Sequence, residues 1–140
     1  MYHMIKERMP PSLQSRLGRA HEAFLLMRES LENGETLEEA VVRGLQEEFG
    51  AEGKVIRYLG SIQSHIPEDY PDGWEKTTLY FHASLIAQGD RSLSDAESHS
   101  ILEWVEPTVL LQKLLQQGRE TGRADLDESK IIKAYLASIL

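Results

Sequence analysis

The sequence predicts a single α+β domain built from a mixture of strands and helices. The chain has 140 residues, which suits one domain and is long enough to bury a substantial core. Segments with the alternating apolar pattern of strands are interspersed with segments in which apolar residues recur at helical spacing. No internal repeat or low-complexity tract interrupts this order.

The N-terminal part of the chain carries few signals for regular structure. Residues 1–22 are polar, basic and interrupted by proline, so we expect a poorly structured segment or a short helix there. The apolar run at 23–27 predicts a short strand that leads into an acidic loop. The folded domain is therefore expected over residues 23–140, with its N-terminal strands short or missing.

A helix is predicted for residues 36–49. Thr36 followed by Glu39 fits a capping box, and Gly50 stands where a left-handed C-cap is expected. Between these signals one apolar stripe recurs at a spacing of four, comprising Leu37, Val41, Leu45 and Phe49, with Val42 beside it. Positions expected on other faces, towards a groove or solvent, are Arg43, Gly44, Glu47 and Glu48.

Three further strands and two helices are expected after this helix. Strand patterns cover residues 54–66, 77–87 and 101–105, with a bulge expected at Gly60. Pro107 suits the first turn of a helix, where its missing N–H needs no partner. That helix is expected to end near Gly118, and a last helix is expected from about Asp127.

Composition excludes several classes of protein. The chain contains no cysteine, which rules out a disulfide framework and a thiolate zinc site. Its net charge of -8 argues against a nucleic acid polymer as partner, because phosphate backbones call for basic patches. The sequence has neither a signal-peptide pattern nor an apolar run of membrane-spanning length. We therefore expect a soluble cytoplasmic protein without a membrane partner.

The negative charge is concentrated in one segment. Residues 29–52 contain eight glutamates and one arginine, Arg43, and so carry -7 of the chain's net -8. Like charges at adjacent and i,i+4 positions repel each other. Hard divalent ions such as Mg²⁺ or Mn²⁺ relieve this repulsion, because they prefer carboxylate oxygens. The segment therefore predicts a cation site, with a solvated acidic helix as the alternative.

The order of residues in this segment resembles the Nudix box. That family pattern reads Gly, five residues, Glu, seven residues, then Arg-Glu-aliphatic-x-Glu-Glu-x-Gly-aliphatic. The positions in register are Glu35, Arg43, Leu45, Glu47, Glu48, Gly50 and Ala51. Two positions depart from it: Glu29 stands where the leading glycine belongs, and Gly44 stands where the glutamate after the arginine belongs.

The resemblance implies a Nudix-like α/β/α sandwich, with a mixed sheet between helices and the box as strand, loop and helix. Family members usually place two strands before the box, whereas this chain has only 28 residues there, with little strand character before Ala23. An uncovered sheet edge invites pairing with another strand. We therefore expect a homodimer to which this region contributes.

The resemblance also implies hydrolysis of a nucleoside diphosphate linked to another moiety, with Mg²⁺ or Mn²⁺. It makes Glu47 and Glu48 the metal ligands, against the alternative of solvent-facing helix carboxylates. Arg43 would orient the glutamates, or form only an i,i+4 ion pair with Glu47. Glu35 would share the orienting role, or simply favour the N-terminal end of the helix dipole.

Gly44 leaves the choice of function open. In the family, the glutamate at this position is a metal ligand, whereas glycine offers no ligand atom. Glycine also costs a helix about 1 kcal/mol relative to alanine, so local folding does not explain it. The alternatives are an active hydrolase, a catalytically impaired nucleotide-binding or interaction module, and an acidic interaction domain unrelated to nucleotides.

The general base and the substrate rest on weaker signals. Glu97 lies where some Nudix enzymes carry a catalytic glutamate, with an exposed loop acid as the alternative. The spacing of Pro67 from the box is similar to that in the ADP-ribose pyrophosphatase group. Tyr70 and Trp74 are candidates for stacking on a base, or for packing on their own hairpin. These cues suggest ADP-ribose or a similar compound.

Overall fold

The structure, a computed structural model, describes residues 2–8, 22–66, 74–89 and 101–140. Within these ranges the strands are β1 (Tyr2–Arg8), β2 (Glu22–Leu25), β3 (Ala51–Ile66), β4 (Trp74–Gln88) and β5 (Ile101–Val105). The helices are α1 (Leu37–Phe49), α2 (Pro107–Thr121) and α3 (Ser129–Ser138), with a 3-10 turn at Ala124–Leu126. This mixture of helices and strands confirms the predicted α+β class.

The strands pair in two antiparallel groups. β1 lies between β2 and β5, with its Lys6 opposite Phe24 on one side and Ile101 on the other. β3 and β4 form a long hairpin whose register shifts between Tyr58 and Gly60. Gly60 has a φ of 147°, which favours glycine, so the predicted bulge is confirmed. Among the described residues, every pair of neighbouring strands is antiparallel. The parallel strand pairs that a mixed sheet would contain are not found in these residues.

The N-terminal segment differs from the sequence-based expectation. Instead of a poorly structured segment or a short helix, Tyr2–Arg8 forms the middle strand of the three-stranded group. Its sequence is polar, and its partner β5 lies in the C-terminal half of the chain. Pairing with a distant segment outweighs a weak local preference, so the pattern alone could not reveal it. Two strands therefore precede the acidic loop, and both are short, with 7 and 4 residues.

Helix α2 runs past the end that was predicted near Gly118. Gly118 is explained by a close approach and not by a helix end, because a Cβ there would lie 2.6 Å from Oδ2 of Asp127. Gly122 provides the left-handed C-cap instead, with a φ of 63°. In the described part of the chain, no helix combines the length and apolar character needed to cross a membrane.

In the described part of the chain, three clusters of buried residues attach the helices to the strands. α2 and α3 pack on β2 and β5 through a cluster built on Leu110, Leu114 and Ile132. α1 packs on the hairpin through a second cluster built on Leu45, Phe49 and Ala51. A third cluster joins the hairpin to α3 and comprises Ile62, Tyr80 and Ile131. The hairpin is thus held by α1 and by α3.

The outer edge of β2 is closed by side chains. Gln117 is buried, and its amide bonds both backbone groups of Phe24, accepting from N at 2.8 Å and donating to O at 3.0 Å. Just beyond the strand, the N–H of Leu26 donates to Oε2 of Glu128 at 2.8 Å. Side chains of the same protein therefore occupy this edge at Phe24 and just beyond it at Leu26. The homodimer itself stays a prediction.

Glu128 is a fully buried acid that ties three parts of the fold together. Its Oε1 accepts from Arg28 Nε at 3.0 Å, from Arg28 Nη2 at 2.8 Å and from Tyr80 Oη at 2.7 Å. The residue immediately precedes α3, Arg28 follows β2, and Tyr80 lies in β4. Because a buried charge needs such partners, this cluster fixes the start of the loop that carries Glu29.

Candidate functional site

The acidic segment folds into a loop followed by helix α1, with both predicted helix signals in place. Thr36 Oγ1 accepts a hydrogen bond from the N–H of Glu39 at 3.2 Å and so caps the helix. Gly50 ends it in the left-handed conformation, with a φ of 61°. These caps fix which residues of α1 face the loop and which face the core.

Arg43 is the centre of the site. Its Nε lies 2.8 Å from Glu35 Oε1, and its Nη2 lies 3.1 Å from Glu35 Oε2, a two-pronged contact. Nη2 also donates to the carbonyl oxygen of Ser30 at 2.6 Å. Nη1 lies 3.2 Å from Glu47 Oε2 and 3.3 Å from Glu29 Oε1. Arg43 therefore holds the loop to the helix, and the i,i+4 contact with Glu47 is only one part of a larger network.

The network shifts the pKa values of two of its members, Glu35 and Arg43. The hydrogen bond from Arg43, followed by that from the backbone of Glu32, lowers the pKa of Glu35 below its ordinary 4.5. The same Glu35 contact raises the pKa of Arg43. Both groups thus remain charged across the neutral range, and they give the acidic loop one fixed geometry.

The sequence suggested that Gly44 lies on a face of α1 towards a groove or solvent. The structure shows otherwise. Gly44 is buried, because the loop after β2 crosses α1 at this point. A Cβ at position 44 would lie 2.9 Å from Met27 Cε and 3.1 Å from Glu29 Cβ. The side chain of Glu29 thus fills the space into which a side chain at position 44 would grow. This contact supplies the packing reason for a glycine in the middle of the helix.

The apolar stripe of α1 also turns slightly from its predicted position. Leu45 and Phe49 are buried, but Leu37 and Val42 are 42% and 41% exposed. Ala40 and Gly44 take part in the buried side instead. The buried side of α1 therefore includes two small residues that the four-residue spacing did not assign to it.

The remaining site residues are placed as follows. Glu47 is exposed on α1, with 54% of its side chain accessible, and Glu48 beside it is partly buried. Trp74 is the first residue of β4, opposite Ile66. The candidates Tyr70 and Glu97 lie outside the described residues, so their predicted roles stay predictions.

Sequence reasoning missed the part that Glu29 plays in this site. The residue was treated only as a departure from the family glycine, yet it contacts Arg43 and packs on Gly44. The sequence did contain a signal for this contact. Compared with the family pattern, position 29 has lost a glycine and position 44 has gained one. The buried cluster of Arg28 and Glu128 had no comparable signal, because its members are 100 positions apart.

The chain belongs to the Nudix family, since the family model for the NUDIX domain matches residues 12–126. The match extends well beyond the acidic segment and includes β2 before it and β3, β4, β5 and α2 after it. Family membership identifies a Nudix-type hydrolase in general, a class that generally uses divalent metal ions.

One solved structure of similar fold is described as the solution structure of the E. coli ORF135 protein. The similarity covers 95% of this chain and 79% of that chain, with a TM-score of 0.60 and 21% sequence identity. At this identity the likeness shows the fold alone. Comparison with curated proteins finds no match.

The donor groups of the site fit a divalent metal ion in their chemistry. Carboxylate oxygens are the ligands that Mg²⁺ prefers, and it commonly takes one or two from protein while keeping several waters. Three carboxylates approach Arg43 Nη1, those of Glu29 at 3.3 Å, Glu32 at 3.7 Å and Glu47 at 3.2 Å. Within the described ranges, no group of three or more such side chains is arranged around one metal position. The carboxylates are instead gathered by Arg43.

Proposed function

We propose that this chain is a Nudix-type pyrophosphohydrolase that uses Mg²⁺ or Mn²⁺. Its substrate is a nucleoside diphosphate linked to another moiety, with ADP-ribose as the representative compound. The observation that carries the proposal is the Arg43 network, which assembles Glu29, Glu35 and Glu47 at the junction of loop and helix. Family membership supports hydrolysis as the reaction type.

Electrostatics supports the requirement for a metal ion. Segment 29–52 carries a net charge of -7, which repels the anionic pyrophosphate of the substrate. A bound divalent ion would polarise phosphorus and lower the pKa of an attacking water. The exposed Glu47 and the adjacent Glu48 are the residues on α1 that we assign to holding it.

The other charged residues of the site have positioning roles in this proposal. Arg43 keeps the carboxylates together before any ligand binds, which reduces their mutual repulsion. Glu35, whose side chain is only 11% exposed, anchors the guanidinium with both oxygens. Loop and helix therefore present their acids in a fixed arrangement, as preorganised catalysis requires.

A catalytically impaired nucleotide-binding module is the second candidate function. It is favoured by Gly44, which offers no carboxylate where the family has a metal ligand. The two candidates share the same fold and the same acidic surface, but only the first releases product.

A hydrolysis assay separates them. The protein is incubated with Mg²⁺ or Mn²⁺ and ADP-ribose, NADH, nucleotide sugars, nucleoside triphosphates or dinucleoside polyphosphates, and nucleotide and phosphate products are measured. We expect turnover of at least one diphosphate derivative, reduced about 10–100-fold in Glu48→Gln. Glu38→Gln, an exposed acid in the first turn of α1, is the matched control. Background rates for every compound would favour the binding module.

A further inference from the structure

The two departures from the family pattern lie against each other in the structure. Position 29 has exchanged glycine for glutamate, and position 44 has exchanged glutamate for glycine. The Cβ that residue 44 lacks would lie 3.1 Å from Glu29 Cβ and 3.4 Å from Glu29 Cγ. A side chain grown from position 44 and the side chain of Glu29 would therefore occupy the same space.

We infer that Glu29 supplies the carboxylate that Gly44 lacks, so that the metal-binding acid reaches the site from the loop. This inference rests on the proposed function, because it assigns a residue to the same metal site. In this arrangement the glutamate and the glycine have exchanged places across the contact between loop and helix. The carboxylate projects from position 29 of the loop instead of from position 44 of α1.

The position of the Glu29 carboxylate supports the exchange. Its Oε1 lies 3.3 Å from Arg43 Nη1, the nitrogen that also contacts Glu47 Oε2 at 3.2 Å. The side chain is 21% exposed, so it is partly ordered by its neighbours yet open to a ligand from solvent. The same oxygen also accepts a hydrogen bond from the N–H of Ser30 at 3.1 Å.

The fold also holds the backbone of Glu29 in place. The preceding residue, Arg28, is fixed by two hydrogen bonds to the buried Glu128, at 3.0 and 2.8 Å. The following residue, Ser30, is held through its carbonyl oxygen by Arg43 at 2.6 Å. These anchors on both sides limit the movement of the loop at Glu29, and a preorganised ligand needs such support from its neighbours.

Binding of Mn²⁺, followed by electron paramagnetic resonance of the free ion, tests the inference without reference to turnover. Glu29→Gln keeps the side-chain stem that packs on Gly44 and removes only the charge. We expect it to weaken Mn²⁺ binding by about tenfold or more. Glu38→Gln removes the same charge from the exposed first turn of α1 and should leave the affinity within about threefold, since screened surface charges act weakly.

A swap of the two residues provides the second variant. Glu29→Gly combined with Gly44→Glu restores the family arrangement and should bring Mn²⁺ affinity back to within about threefold of the wild type. Gly44→Glu alone is expected to destabilise the fold, because its new side chain meets Cβ and Cγ of Glu29, whereas Met27 meets it only with Cε, the flexible end of its side chain. The single Glu29→Gly variant should bind as weakly as Glu29→Gln.

The outcomes distinguish this inference from the proposed function. Equal Mn²⁺ affinity in wild type, Glu29→Gln and Glu38→Gln would overturn the inference, even if the protein hydrolyses ADP-ribose. Loss of binding in Glu29→Gln with recovery in the double variant would support it, even if no substrate is turned over. A wild type that binds no Mn²⁺ would overturn it as well.

Discussion

Arg28 and Glu128, 100 positions apart in the chain, form a charged pair in which two guanidinium nitrogens donate to one carboxylate oxygen. The glutamate is completely buried, whereas the arginine side chain is 20% exposed. The pair connects the loop that follows β2 to the start of α3. It thereby links the geometry of the acidic site to the C-terminal part of the fold.

The first prediction concerns the stability that this buried acid provides. Glu128→Ala removes the acceptor of Arg28, Tyr80 and the N–H of Leu26, and should lower the free energy of unfolding by about 3–5 kcal/mol. Glu52→Gln, on an exposed strand position, should change it by less than about 0.5 kcal/mol. Urea denaturation followed by circular dichroism measures both. A loss below about 1 kcal/mol in Glu128→Ala, which is the contribution of a single ordinary hydrogen bond, would contradict the account.

The second prediction separates the hydroxyl of Tyr80 from its ring. Burial, followed by the nearby charge of Glu128, raises the pKa of Tyr80, so its hydroxyl stays protonated and donates. Tyr80→Phe keeps the ring in the cluster with Ile62 and Ile131 but removes this donor. We expect a loss of about 1–3 kcal/mol in urea denaturation. Wild-type stability in this variant would show that the hydroxyl is not needed by Glu128.

The third prediction concerns the ion pair of Arg43 with Glu35 at low pH. The pKa of Glu35 is lowered below 4.5, so the stabilisation it provides is complete above that pH and is lost as pH falls through the lowered value. Lysine cannot contact both oxygens of Glu35 and Ser30 O at once. Arg43→Lys should therefore lower Tm at neutral pH and flatten the acid-side loss of stability. Arg57→Lys, at an exposed residue that contacts Ser138 O, is the control, and identical pH profiles for the two variants would contradict the prediction.

The fourth prediction concerns His82. Its Nδ1 is buried without a hydrogen-bond partner among the described residues, and its ring meets Tyr135 edge to face at 4.9 Å. Burial, with the charge of Arg57 second, lowers the pKa of His82 below 6.5. The unfolded chain then takes up a proton first, so stability should fall as pH decreases from 6.5 towards the folded pKa.

The variant His82→Phe isolates this effect, because it retains an aromatic ring for Tyr135 but cannot titrate. Unfolding curves at several pH values should show a smaller slope for the variant just below pH 6.5 than for the wild type. Equal slopes of stability against pH in His82→Phe and the wild type would show that another group causes the loss of stability.

Sequence reasoning succeeded where the deciding signals were local. The limits of α1 followed from Thr36 and Gly50, and the bulge followed from Gly60, because each acts through its own backbone. The acidic segment also predicted the contact of Arg43 with Glu47, since residues four apart share a helix face.

The failures have a common physical cause in contacts between distant residues. Strand β1 exists through pairing with β5, and Glu128 is buried because Arg28 and Tyr80 surround it. Gly44 was placed on an open face because the crossing of the loop that carries Glu29 leaves no local pattern. In each case the deciding partner lies on another element.

The measurement that tests the central claim most directly is the release of AMP from ADP-ribose as Mg²⁺ is titrated. We expect release in the wild type that rises with Mg²⁺ and is abolished by a chelator. Glu47→Gln should reduce it about 10–100-fold, whereas Glu38→Gln should match the wild type. AMP release that is absent at every Mg²⁺ concentration, or unchanged in Glu47→Gln, would contradict the claim that the acids gathered by Arg43 form the site of hydrolysis.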